Sequence, residues 1–174
     1  PYLSRGLGDV YKRQITDPNE VYDILKTNTF EIERKLNCVF KEAILILDSF
    51  NSSIINLSGY KKLNGSQLTK GDITYILNSL KSEIHEKESQ KSTIHIFNSN
   101  YHLDKKKINN LPIGLFGNFY SQELSFYLID NNDLKNFNNI FNKCNLSISK
   151  IISKSFLEGV NLIDQNSNLD LSLI

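Results

Sequence analysis

Apolar residues recur along the chain at two spacings, and each change of spacing marks an element. Asp17, Pro18 and Glu20 form a helix start: a cap, a proline at the first helical position, and an acid whose side chain can reach back to the cap. Val21, Ile24, Leu25, Ile32 and Leu36 follow at steps of three and four, predicting a helix that ends near Asn37. Ala43 to Leu47 is a continuous apolar run of strand length, predicting a strand covered on both faces. Ser53 to Leu63 is a mixed, partly β-branched stretch and predicts a second strand. Thr69 and Asp72 make a second capping pair, before Ile73, Ile76, Leu77, Leu80 and Ile84 on one helical face. Ile94 to Phe97 reads as a short strand that resumes at Tyr101 to Leu103. Leu124 to Ile129 is a strand that ends at the turn Asp130-Asn131-Asn132. Leu134, Phe137, Ile140 and Phe141 share the face of a third helix, Leu146 to Ile152 is a last strand, and Phe156 to Ile163 a short helix.

The resulting order, α-β-β-α-β-β-α-β-α, predicts a mixed α/β fold with hairpins in its middle third. Composition supports a packed core: the 174 residues are 40% hydrophobic and 22% charged, which excludes wholesale disorder. No apolar run approaches a membrane span, and no charged-then-apolar signal peptide opens the chain.

Residue usage adds a boundary. Asparagine occurs 22 times, alanine once (Ala43), and lysine outnumbers arginine 17 to 3. Residues 1–14 depart from that bias, holding two of the three arginines and no asparagine. They resemble translated sequencing-adapter read-through, as do residues 170–174, and both are set aside as artefacts. Without residues 1–14 the formal charge of +1 becomes −1, so basicity is not a property of the remaining chain. The chain has no methionine, which predicts a piece of a longer protein. Cys38 and Cys144 lie far apart without C-x-x-C or ligand-spaced histidines, as expected of buried thiols in a reducing, cytoplasmic setting.

Self-contained chemistry is not legible. Gly59 to Ser66 lacks the Gly-Lys-Ser/Thr ending of a phosphate loop. The Leu111-Pro112-Ile113-Gly114-Leu115-Phe116-Gly117 run sits between strands, and reads as a turn with Pro112 fixing one dihedral and its glycines taking positive φ. No serine elbow, metal-ligand cluster or paired carboxylates appear, and His85, His95 and His102 lack evident partners. No catalytic, cofactor-binding or metal residue is therefore assigned. Phe119, Tyr120, Phe126 and Tyr127 could stack on bases beside Lys105-Lys106-Lys107. The near-zero net charge and missing glycine-aromatic motif weigh against nucleic acid as a partner.

One stretch carries a family pattern. Ile94-His95-Ile96-Phe97-Asn98-Ser99-Asn100-Tyr101-His102-Leu103-Asp104, followed by Leu111 to Gly117, resembles the "HIIPQEY-x-LD" and "NPIGM-x-G" segments of the bacterial cell-division family FtsA. Asn98 replaces that family's proline and Leu111 its asparagine. Gly59, Leu68-Thr69 and Asp72-Ile73 fit its glycine and "VT-x-ED" helix start, and Asn139 to Asn145 and Lys150 to Val160 fit its later helix end and return strand. The resemblance covers roughly residues 15–163.

The resemblance implies part of an actin-like ATPase fold. Residues 15–51 and 146–169 would be strips of its 1A core. Residues 52–145 would be the inserted 1C subdomain, of strand-helix-strand-strand type, with a small antiparallel sheet and two helices. ATP and Mg belong to phosphate motifs outside this stretch, so no enzyme activity is expected of it. The implied partners are further copies of itself, later division proteins, the FtsZ ring through the parent, and the membrane only through a C-terminal helix not present here. The implied address is the inner face of the cell membrane at the division site. The implied interaction segment is Tyr101 to Phe119, with Pro112, Gly114 and Gly117 holding its shape. Alternatives are a PilM-like type IV pilus assembly protein of the same superfamily, and a small α/β nucleic-acid-binding module.

Overall fold

A computed structural model describes residues 17–48 and 50–164, with side chains described to residue 161. Residues 1–14 and 170–174, set aside above, lie outside the described residues. The fold is mixed α/β, with four helices, a two-stranded parallel sheet and a four-stranded antiparallel sheet. The described chain divides into two compact units, 17–52 with 129–164, and 53–128.

The first unit holds α1 (Pro18–Leu36), β1 (Glu42–Leu47), α3 (Asn131–Lys143), β6 (Ser147–Ser153) and α4 (Lys154–Asp164). Asp17 caps α1 by accepting the Asn19 and Glu20 N–H groups, and Asn37, at φ 50°, ends it in the left-handed conformation. β1 and β6 pair in parallel, from Glu42 opposite Ser147 to Leu47 opposite Ser153, with a register shift between Ala43 and Ile44. Phe137, Ile140 and Phe141 bury one face of α3, which packs on α1 and β6. The Phe50 ring lies 5.0 Å from that of Phe137.

Two expectations change in this unit. β1 is not covered on both faces: it alternates, with Leu47 buried while Ile44 and Ile46 remain 56% and 52% exposed. An unbroken apolar run carries no record of which face gets a neighbour, and the described sheet here has only two strands. The helix expected to close a 52–145 insertion, α3, clusters instead with α1 and β6, so the compact unit ends at Leu128 and carries one helix.

The second unit holds β2 (Ser52–Lys62), α2 (Lys70–Lys87), β3 (Lys91–Leu103), β4 (Lys106–Ile108) and β5 (Phe119–Asp130), in the sheet order β2-β5-β3-β4. The capping box forms as read: Thr69 Oγ1 accepts the Asp72 N–H, and the Asp72 carboxylate accepts the Thr69 N–H at 2.9 Å. Ile73, Ile76, Leu80 and Ile84 of α2 pack with Tyr120, Leu124, Phe126 and Leu128 of β5, all buried. Gly59 lets α2 approach β2, since a Cβ there would stand 2.4 Å from Ile76 Cγ2.

The interrupted apolar pattern around residues 97–101 is a single strand with a change of phase. Consecutive Ser99 and Asn100 both reach one side of β5, bonding Ser125 (3.0 Å) and Glu123 (2.6 Å), which lie two residues apart. Ile96, Tyr101 and Leu103 pack with the core on the other side. Two neighbours sharing a face is the mark of a bulge. On the core side a polar chain crosses between strands. Tyr120 Oη donates to Gln122 Oε1 (3.1 Å), Gln122 Nε2 to Asn98 Oδ1 (2.5 Å), and Asn98 Nδ2 to Tyr101 Oη. Burial pushes both tyrosine hydroxyls up from their ordinary pKa, so both stay protonated and able to donate.

Candidate interaction surface

The segment between β4 and β5 is a loop built like a strand pair. Leu63 and Gly65 donate their N–H groups to Asn118 and Gly117 carbonyls at 2.8 and 2.9 Å. Leu68 donates to Leu115 at 2.9 Å, and Gly114 returns a bond to Leu68 at 2.9 Å. Gln67 and Phe116 form an antiparallel bridge. Asp104 pins the far end, where its Oδ1 accepts both the Asn118 and Phe119 N–H groups at 2.8 Å. Residues 111–119 are thus held along their backbone by residues 63–68 and Asp104.

Within that frame Pro112 to Leu115 close a tight turn, with the Leu115 N–H on the Pro112 carbonyl at 3.2 Å and Gly114 at φ +84°. A positive φ at the third turn position is what glycine supplies without a Cβ clash. Gly117 works differently from the expectation that both glycines take positive φ. Its conformation is ordinary, and a Cβ on it would come within 2.6 Å of the Leu103 side chain.

The residues expected to form the interaction segment separate into support and surface. Tyr101 is buried in the core and Pro112 and Gly117 are buried beneath the loop, so they shape the segment without being presented. Phe119 is half-buried and stacks on Tyr60, with centroids 5.4 Å apart and planes 21° apart. What the loop presents is apolar: Ile113, Leu115 and Phe116 are exposed, Phe116 by 69%. These three, and the anchoring Asp104, lie within the expected Tyr101 to Phe119 segment, but the sequence reading gives none of them an individual role. The available signal was an apolar run inside a glycine-bounded loop, where solvent-facing residues are usually polar.

Elsewhere, chemistry has little footing. Tyr120 and Phe126, two of the four aromatics offered for base stacking, have no exposed surface. His95 lies against Phe97 and Tyr127, and burial lowers its pKa, favouring the neutral ring. A shallow depression of about 500 Å³ on α2 is lined by Tyr75, Asn78, Ser79, Ser82, Glu83 and Glu86. Among the described residues no three of His, Cys, Asp and Glu converge as metal ligands, and no helix is long and apolar enough to cross a membrane. Asp133 is buried, with Oδ2 unpartnered, and burial together with nearby Asp130 raises its pKa.

The strongest candidate site is therefore a surface for another macromolecule: a backbone-braced loop with three exposed apolar side chains. Searches against protein-family models and against curated proteins find no match to this chain.

Proposed function

We propose that the chain is part of a cell-division protein of the FtsA type, with the 53–128 unit serving as a docking module for other division proteins. The observation that carries the docking role is the exposed trio Ile113, Leu115 and Phe116 on a loop braced by residues 63–68. Exposed apolar side chains on a pre-ordered backbone suit binding, because little conformational entropy remains to be lost on contact. The family reading draws support from element order. The unit runs β2-α2-β3-β5, a strand-helix-strand-strand succession in which β4 adds only a short hairpin, and a parallel strand pair flanks it in sequence. In this reading the link to the FtsZ ring, the membrane tether and ATP with Mg belong to other parts of the parent, and the present residues have no catalytic role.

The test is binding of the purified chain to cytoplasmic segments of later division proteins. Truncating a central apolar contact costs about 2 kcal/mol or more, about 30-fold in affinity. Phe116→Ser and Leu115→Ser are each expected to weaken binding by that order while leaving the near-ultraviolet tyrosine circular dichroism unchanged. Absence of binding by the native chain, or unchanged binding by both variants, overturns the reading.

A further inference from the structure

β2 is the outermost strand of the four-stranded sheet and, at 11 residues, a long one. Its burial alternates without a break from Ser52 to Lys62, so no bulge interrupts it. Leu63, next in that alternation, donates its N–H towards β5. Even-numbered residues from Ser52 to Lys62 therefore direct their N–H and C=O groups away from β5, along the open edge.

Sheet edges in proteins are normally blunted by proline, charge, bulges or short length. From Ser52 to Tyr60 the edge has none of these, and its only charges are Lys61 and Lys62 at one end. The opposite edge is blunted: β4 has three residues, two of them lysine. Ile54 and Tyr60 stand on the face of β2 turned from the core, 62% and 64% exposed.

We propose that two copies of this chain associate by antiparallel pairing of their β2 strands, centred on Leu57, which joins two four-stranded sheets into one of eight. The sequence of the strand selects the occupant, because it is complementary to itself in that direction. Ile54 falls opposite Tyr60 of the second copy, an aromatic with a β-branched residue, and the pair occurs twice. Asn56 falls opposite Ser58, amide beside hydroxyl. Lys61 and Lys62 fall opposite Ser53 and Ser52, so the two lysine pairs lie at opposite ends of the joint. Parallel pairing in register would set Lys61 and Lys62 each beside their own copies. All the facing pairs on the outer side are even-numbered, and those residues carry the N–H and C=O groups that, among the described strands, face away from β5.

The second copy is named by the self-complementary sequence of the strand, so the pairing stands apart from the docking reading. The edge requires no FtsA-type function. Its failure and that of the docking reading are separable, since different variants report on each.

The first measurement is mass by light scattering over a concentration series of the full chain. The expected result is a rise from the 20.0 kDa monomer towards twice that mass. Asn56→Pro removes an edge N–H without touching the β5 side, and is expected to abolish the rise. A chain that stays monomeric throughout, or an Asn56→Pro protein that folds and still dimerises, overturns the proposal. A register test stands whether or not that variant folds. In a Cys38→Ser, Cys144→Ser background, Ile54→Cys and Tyr60→Cys copies are mixed and mildly oxidised. Facing residues about 5.5 Å apart at Cα suit a disulfide, so mixed disulfides form. Ile54→Cys alone does not cross-link, because its two copies lie about 20 Å apart along the joint. Equal cross-linking in the single-variant and mixed samples overturns the proposal.

Discussion

Gly59→Ala tests whether the seat of α2 on β2 depends on a missing side chain. The added methyl would lie 2.4 Å from Ile76 Cγ2 and 3.1 Å from Leu80 Cδ1. Both neighbours are buried, and Ile76 is among the fully enclosed side chains, so neither can swing into solvent. Relief must come from moving α2 or forcing a rotamer, which in packed cores costs about 1–3 kcal/mol. Alanine offsets part of this, since glycine in a strand interior is worse by about 0.5–1 kcal/mol. The net expectation is a loss of about 1–2 kcal/mol.

Urea unfolding followed in the near-ultraviolet tyrosine band reports on this unit, because Tyr101 and Tyr120 are buried in it. With an m-value of about 2 kcal/mol/M, the midpoint falls by about 0.5–1 M at unchanged slope. The cause is isolated by repeating the substitution in an Ile76→Ala background, where the obstructing atom is gone and Gly59→Ala becomes neutral or stabilising. An unchanged midpoint in the single variant, or an equal loss in both backgrounds, refutes the steric account.

Three further outcomes follow from the same structure. Asp104→Ala removes the acceptor of two backbone N–H groups, and amide exchange at Asn118 and Phe119 is expected to accelerate about tenfold, for a loss of roughly 1.4 kcal/mol; unchanged protection would show that the 63–68 pairing suffices alone. The Asp72 carboxyl is held below its ordinary pKa of 3.8 mainly by Thr69, so its stabilisation is complete above that value and fades as pH falls towards the lower folded value. Thr69→Ala is therefore expected to cost about 1 kcal/mol at neutral pH and progressively less in acid, read by urea midpoints at each pH; a pH-independent deficit counts against it. Asp133 has its pKa raised, so its ionised form opposes folding above the unfolded value. Asp133→Asn should raise the melting temperature at neutral pH by more than in acid, and a fall at neutral pH would contradict this.

Caps and helical periods were readable because they are local: Asp17-Pro18 and Thr69 with Asp72 opened α1 and α2 where expected. Strand limits were harder. β5 begins at Phe119, five residues before the apolar run at Leu124, because Tyr120 and Gln122 occupy its inward positions as polar members of the core. β4 was missed outright. Two of its three residues are lysines, and it exists because Asp104 and Lys105 both adopt positive φ and fold a two-residue hairpin turn. In the candidate surface, Gly114 was legible as a turn glycine, since positive φ is a property of one residue. The brace from residues 63–68 was not, because it joins segments about 50 positions apart by backbone groups that every sequence possesses.

The polar chain inside the second unit bears on how this sequence can drift. Tyr120, Gln122, Asn98 and Tyr101 satisfy one another where water has little access, so each is the answer to a question posed by the next. Replacing Asn98 alone leaves a buried amide on Gln122 without its acceptor, and replacing Gln122 alone strands Asn98 and Tyr120. Substitution here is tolerated as an exchange of the whole group, for instance for apolar residues of similar volume, more readily than one position at a time. Among related sequences these four positions should therefore vary together, giving a signature of descent that surface positions such as Ser99 or Lys105 do not carry.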